Sequence, residues 1–174
     1  MARAGGTGRT GPSGYRVLGI YLNDHLAGAT AGAELAHRIA RTHPDQADRL
    51  RSFAAEVAQD RTALADIMKT LGIPVRVYKV GAAWVGEKAA RLKFNGHLLT
   101  RSLLSFLEEL EMMRLGVEGK AAGWRTLRTL ANTDKRLDPG RLDELIARAG
   151  RQSDLLEDLR MDAAAQVIGH GRPD

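Results

Sequence analysis

Apolar residues recur at the three-to-four-residue interval of an α-helix over four long stretches, and this period dictates most of what the chain can become. At about 100° per residue, Leu18, Leu22, His25, Ala29, Gly32, Ala36 and Ile39 share one stripe of a first helix. That helix closes near "RTHP", where Pro44 suits the first turn of a second. The second carries Leu50, Phe53, Val57, Leu64, Met68 and Leu71 and stops at "LGIP". The third runs from about Ser102 to Ala131, with Leu103, Leu107, Leu110, Val117, Ala121, Trp124 and Arg128 in line. The fourth opens at "DP", with Asp138 as N-cap and Pro139 in the first position, and presents Leu142, Ile146, Ala149, Leu156, Ala163 and Val167. "IPVRVYKV" alternates too briefly to compete as a strand. Four amphipathic helices each need a partner for their apolar stripe, so the expected fold is all-α, an antiparallel four-helix bundle.

A chain of 174 residues can bury such a core as one domain. It has no cysteine, which excludes disulfides, thiolate metal sites and a cysteine nucleophile. No run approaches the ~20 apolar residues of a membrane span. "MARAGGTGRTGPSG" places Arg and Gly where a secretion signal needs an apolar region, so a cytoplasmic location is expected. Residues 1–14 read as a flexible tail, 15–168 as the bundle and 169–174 as a second tail.

The first two helices are joined by a few residues, as are the last two, so each pair reads as an antiparallel hairpin. About 30 residues, 72–101, lie between the hairpins. A 28-residue helix is about 42 Å long, and a linker of this length can cross that distance where an adjacent turn would not need it. Two long hairpins with a long connection between helices 2 and 3 resemble the ferritin-like superfamily over residues 15–168. Ferritin-like di-iron proteins place a Glu on each of two helices and Glu-x-x-His on the other two. Here that spacing occurs once, as "ELAH", Glu34 and His37, with Glu34 turned away from the apolar stripe. Glu56 and Glu157 have no His three residues on. The resemblance therefore implies a member with a degenerate or absent di-metal site.

Two polar residues interrupt the stripes. His25 stands 18 residues before His43 and Asp60 17 after it, so a hairpin turning at His43 sets them at one level. A carboxylate beside an imidazole orients its tautomer and raises its pKa. One reading is a weak metal or acid–base site completed by Glu118, the other a buried pair that fixes the hairpin register. Beside His25, seven small residues run from Ala27 to Ala33. Glycine inside a helix costs about 1 kcal/mol relative to alanine, so a compensating contact is expected. Close approach of another helix, within the chain or from a second copy, would supply it; a ligand cavity is the alternative. His43, His97 and His170 fall at element ends and are expected to face solvent.

Charge is uneven. Residues 72–101 hold Arg76, Lys79, Lys88, Arg91, Lys93 and Arg101 against Glu87 alone, so they carry the chain's whole net charge of +5. Tyr78, Trp84 and Phe94 are interleaved with them. Basic residues among aromatics suit an acidic protein or another anionic partner, or single-stranded nucleic acid, and equally a solvated face pinned by its aromatics. No phosphate-binding loop, nucleophile elbow, zinc-protease motif or dinucleotide fingerprint is present. The expectation is a non-catalytic, cofactor-free bundle that binds a protein or anion and pairs with its own copy. The competing classes are a metal-carboxylate oxidoreductase holding iron or manganese, which leaves catalysis open, and a nucleic-acid binder.

Overall fold

The structure, a computed structural model, describes residues 12–76 and 103–169. These form four α-helices: α1 (Pro12–Thr42), α2 (Ala47–Thr70), α3 (Leu103–Leu130) and α4 (Pro139–Gly169), with a 3-10 turn at Pro44–Gln46 between the first two. No strand occurs among the described residues, and no helix among them is long and apolar enough to cross a membrane. Helix α1 opens at Pro12, three residues inside the expected 1–14 tail, and α4 continues through Gly169. Proline's fixed φ suits a helix's first turn, which explains the earlier start. The rest of both tails, and residues 77–101 of the crossover, lie outside the described residues.

Helix α2 buries the expected stripe completely: Leu50, Phe53, Val57, Asp60, Leu64 and Met68, continued by Leu71. Helix α4 buries Leu142, Ala149, Leu156 and Ala163 as expected, and adds Leu145, Gln152 and Leu159. Helix α3 buries Leu110, Val117, Ala121 and Trp124 together with Phe106, Met113 and Leu127. Arg128, placed on the expected stripe, instead reaches Asp143 at 2.9 Å. In α1, Leu22, Ala36 and Ile39 are buried, but Leu26 and Ala33 fill the middle of the core face. His25, Ala29 and Gly32 are only half-buried because the neighbouring helix leaves them a gap.

The ends are chemically explicit. Gly72 adopts the left-handed conformation (φ 69°), its N–H bonds Lys69 O, and Ile73 N–H bonds Met68 O at 2.9 Å, closing α2 in a Schellman motif. Asp138 Oδ1 accepts from Gly140 N (2.9 Å) and Arg141 N (3.2 Å), so it is the N-cap of α4 that the sequence indicates. Buried Asn23 on α1 donates to Pro74 O (3.1 Å) and accepts from Arg76 N (2.6 Å), which binds the chain after α2 to α1.

Contacts fix which helices are neighbours. Tyr21–Thr126, Arg38–Glu109 and the approach of Gly32 to Met113 run in opposite numerical senses along α1 and α3. Arg128–Asp143, Ser153–Glu118 and Arg114–Glu157 do the same along α3 and α4. Thr30–Arg61 joins α1 to α2, and Arg148–Gln59 with Gln152–Glu56 joins α4 to α2. Each helix therefore packs on two others around a shared core, as in a helical bundle.

Candidate functional site

Two seams between helices bring polar groups into the core. The first lies where α2 meets α4. Asp60, 1% exposed, accepts from Lys120 Nζ at 2.6 Å and from Gln152 Nε2 at 3.2 Å, and Arg148 Nε stands 3.3 Å from its other oxygen. Lys120 also donates to Gln152 Oε1, Gln152 to Glu56 at 3.0 Å, and Arg148 to Gln59 at 3.0 Å. Two carboxylates thus meet two cations, with an amide dividing them. Burial pulls the Lys120 pKa down, and the charge of Asp60 opposes that pull.

Asp60 is therefore not paired with His25. The two line one cavity, but no hydrogen bond joins them. The 3-10 turn Pro44–Gln46 lengthens the reversal, and the Thr30–Arg61 bond centres it near residue 45 rather than His43. His25 then sits about six residues along α1 from the level of Asp60, roughly 9 Å. Glu118 is exposed and accepts from Ser153 Oγ at 2.9 Å, so it joins neither residue. Among the described residues no three His, Asp or Glu side chains are grouped to hold a metal ion. Glu34 is exposed, as its helical position implies. His43 does not face solvent: its ring stacks on Phe106 at 3.8 Å, because the turn folds it under the start of α3. Of the basic residues 72–101, Arg76 is exposed; Lys79, Lys88, Arg91, Lys93 and Arg101 lie outside the described residues.

The second seam lies between α1 and α3, and it is open. A side chain on Gly32 would just touch Met113 Cε (3.7 Å), and one on Gly123 would press on the His25 ring at 3.2 Å. Between these closures the same register sets Gly28 level with Gly119, and a Cβ on either would meet nothing within 4 Å. Gly116 is equally uncrowded. The small-residue run thus does not receive a neighbouring helix closely along its whole length. It forms one wall of a cavity of about 480 Å³ that runs between α1 and α3 to Val57, Asp60 and Leu64 on α2.

Most of this lining is aliphatic or glycine. His25 stands in it with its ring edge against Tyr21 (centroids 4.4 Å), and burial lowers its pKa against the raising influence of Asp24. Trp124, 2% exposed, also lines it, and its buried indole Nε1–H has no acceptor among the described residues. Lys120 and Asp60 occupy the deep end, already bonded to each other. Sequence reasoning found Asp60 and Trp124 as core residues and missed Lys120, Arg148 and Gln152. Gln152 was recoverable, because it continues the α4 stripe between Ala149 and Leu156. The chain matches no protein-family model, no curated protein and no solved structure, so its function is argued from this geometry.

Proposed function

We propose that this protein is a non-catalytic helical bundle that works by binding, with the cavity between α1 and α3 as its binding site. The carrying observation is the cavity itself: its volume lies within the range of about 300–1,000 Å³ typical of small-molecule sites, its lining is mostly apolar, and a few polar groups converge on it. The order of helix contacts supports an up-down-down-up, ferritin-like topology, since α1 and α4 run one way and α2 and α3 the other. A metal-carboxylate oxidoreductase is the weaker reading. It would require Asp60 to release both Lys120 and Arg148 before iron or manganese could approach. The concentration of the net charge in residues 72–101 supports a further contact with an acidic partner, weakened by salt because exposed charges are screened beyond ~8–10 Å.

Elemental analysis of purified protein incubated with Fe(II), Mn(II) or Zn(II), then desalted, tests the binding role against the metal role. The expected result is sub-stoichiometric metal, unchanged in Asp60→Asn. One metal per chain, lost in that variant, would refute the non-catalytic reading.

A further inference from the structure

We infer that a second pocket, at the end of the bundle where α1 begins and α2 ends, binds the oxyanion group of a small organic acid, a carboxylate or a phosphate. The pocket has a volume of about 400 Å³ and shares no lining residue with the cavity between α1 and α3. The inference therefore stands apart from the role proposed for that cavity.

Three parts of the chain far apart in sequence each bring one arginine to this pocket. Arg16 comes from α1, Arg76 from the segment after α2, and Arg136 from the turn between α3 and α4. Among the described residues no carboxylate lines it. The acid paired with Arg136, Asp134, is buried and takes one edge of the guanidinium, Nε to one oxygen at 2.9 Å and Nη2 to the other at 2.7 Å. Arg136 is also fixed in the pocket wall. Its Nη2 donates to Tyr15 Oη at 2.6 Å and its Nη1 to Leu71 O at 3.1 Å, and both partners line the pocket. A guanidinium has five N–H donors, so these four bonds leave one on Nη1 without an acceptor among the described residues. The plane of that group is thus set before any ligand arrives, which lowers the ordering cost of binding.

Arg16 supplies a mobile charge beside the fixed one. It is exposed and has no hydrogen bond or ion pair among the described residues. Gly19 and Asn23, three and seven residues on, share its face of α1, and all three line the pocket. Arg76 is placed by its backbone, whose N–H is anchored on the buried Asn23 Oδ1 at 2.6 Å. Guanidinium groups pair with carboxylate or phosphate through two parallel N–H donors, in charge-assisted bonds about twice as strong as neutral ones. Arginines from three directions around a wall without a carboxylate attract an anion and repel a cation. Leu71, Ile73, Pro74 and the Tyr15 ring give the carbon body of the molecule an apolar surface to lie on.

Three ligands of nearly one shape and different charge test this by isothermal titration calorimetry on the full chain at low salt: benzoate, benzamide and benzamidine. Phenyl phosphate is the fourth probe. The two anions should bind once per chain, and less tightly as salt rises. Benzamide should bind at least tenfold more weakly, the worth of a charge-assisted hydrogen bond, and benzamidine not at all. The tighter of benzoate and phenyl phosphate names the oxyanion. Arg16→Gln should weaken both anions about tenfold, and Arg16→Lys should restore part of that loss. Equal binding of benzoate and benzamide, tightest binding of benzamidine, or binding of none of the four would overturn the inference. Anion binding that Arg16→Gln leaves intact would overturn it too. So would anion binding lost when Lys88, Arg91 and Lys93 become Gln with Arg16 in place, since the crossover would then hold the anion.

Discussion

Asp60 and Trp124 line one cavity, and each buries a polar atom that has no hydrogen bond among the described residues, yet the seams around them differ. Around Asp60, on the seam of α2 with α4, long side chains from three helices close in until every charge has a counterpart. Around Trp124, between α1 and α3, glycines stand in place of long side chains, and a cavity remains open along the seam. A buried network of this kind confers little net stability but is costly to leave half-made, and it fixes one alignment of its helices. The open seam is joined by Tyr21–Thr126 and Arg38–Glu109 toward its ends and leaves room between them. The difference teaches that in this bundle one hairpin-to-hairpin contact is filled by matched charges, while the other leaves space.

The largest effect that tests this contrast is at the filled seam. Asp60→Ala orphans Lys120 and Arg148 and should destabilise by about 3–5 kcal/mol in urea denaturation. Replacing both charges, Asp60→Leu with Lys120→Met, should recover most of that loss, because apolar partners can substitute for a buried pair. If the single substitution is silent, the network does not exist in solution.

The open seam should respond with the opposite sign. Gly28→Ala together with Gly119→Ala should stabilise the fold by about 1–2 kcal/mol, through helix propensity alone. A lower thermal midpoint in that double variant would mean that the groove closes in solution, and the contrast between the seams would fail.

The smallest effect is in acid. A base whose folded pKa lies below its unfolded one gathers protons more readily when unfolded. Stability is then intact above the ordinary value of 6.5 and declines as pH falls through it toward the folded value. Urea midpoints should therefore drop as pH falls below 6.5, and His25→Gln should flatten that segment of the profile. An unchanged slope would show that the imidazole is solvated rather than held in the cavity wall beside Tyr21 and Asp24.

Much of the fold was legible in the sequence where one face of a helix does one job. The α2 stripe can be read off at 3.6-residue intervals because that face meets only core, and the α4 cap is encoded locally by Asp138 and Pro139. Reading α1 was harder. Its helix divides between a packed face, Leu22 to Ala33 to Ile39, and a cavity face at His25 and Gly28, so a single stripe drawn through both drifts off the core. Asp60 was legible as buried, but its partners were not. Lys120 and Arg148 carry the composition of surface residues, and only the meeting of α2, α3 and α4 brings their long stems inward. The His25–Asp60 pairing failed over a few residues of turn, since nothing in "RTHPDQ" announces that the reversal takes an extra 3-10 turn before α2 begins.

One small knot at the end of the bundle ties these pieces in time as well as in space. Arg136, in the turn between α3 and α4, donates to Leu71 O at the close of α2, to Tyr15 Oη near the start of α1, and to Asp134. Its guanidinium holds the Asp134 carboxyl well below the usual carboxylate range. The two loose ends of the first hairpin and the turn of the second are thus clasped by the same planar group. Breathing motions that admit deuterium to the amides of one hairpin must undo a clasp belonging to both. Slow hydrogen exchange should accordingly report a single cooperative unit, with the cavity kept open inside a frame that yields as a whole.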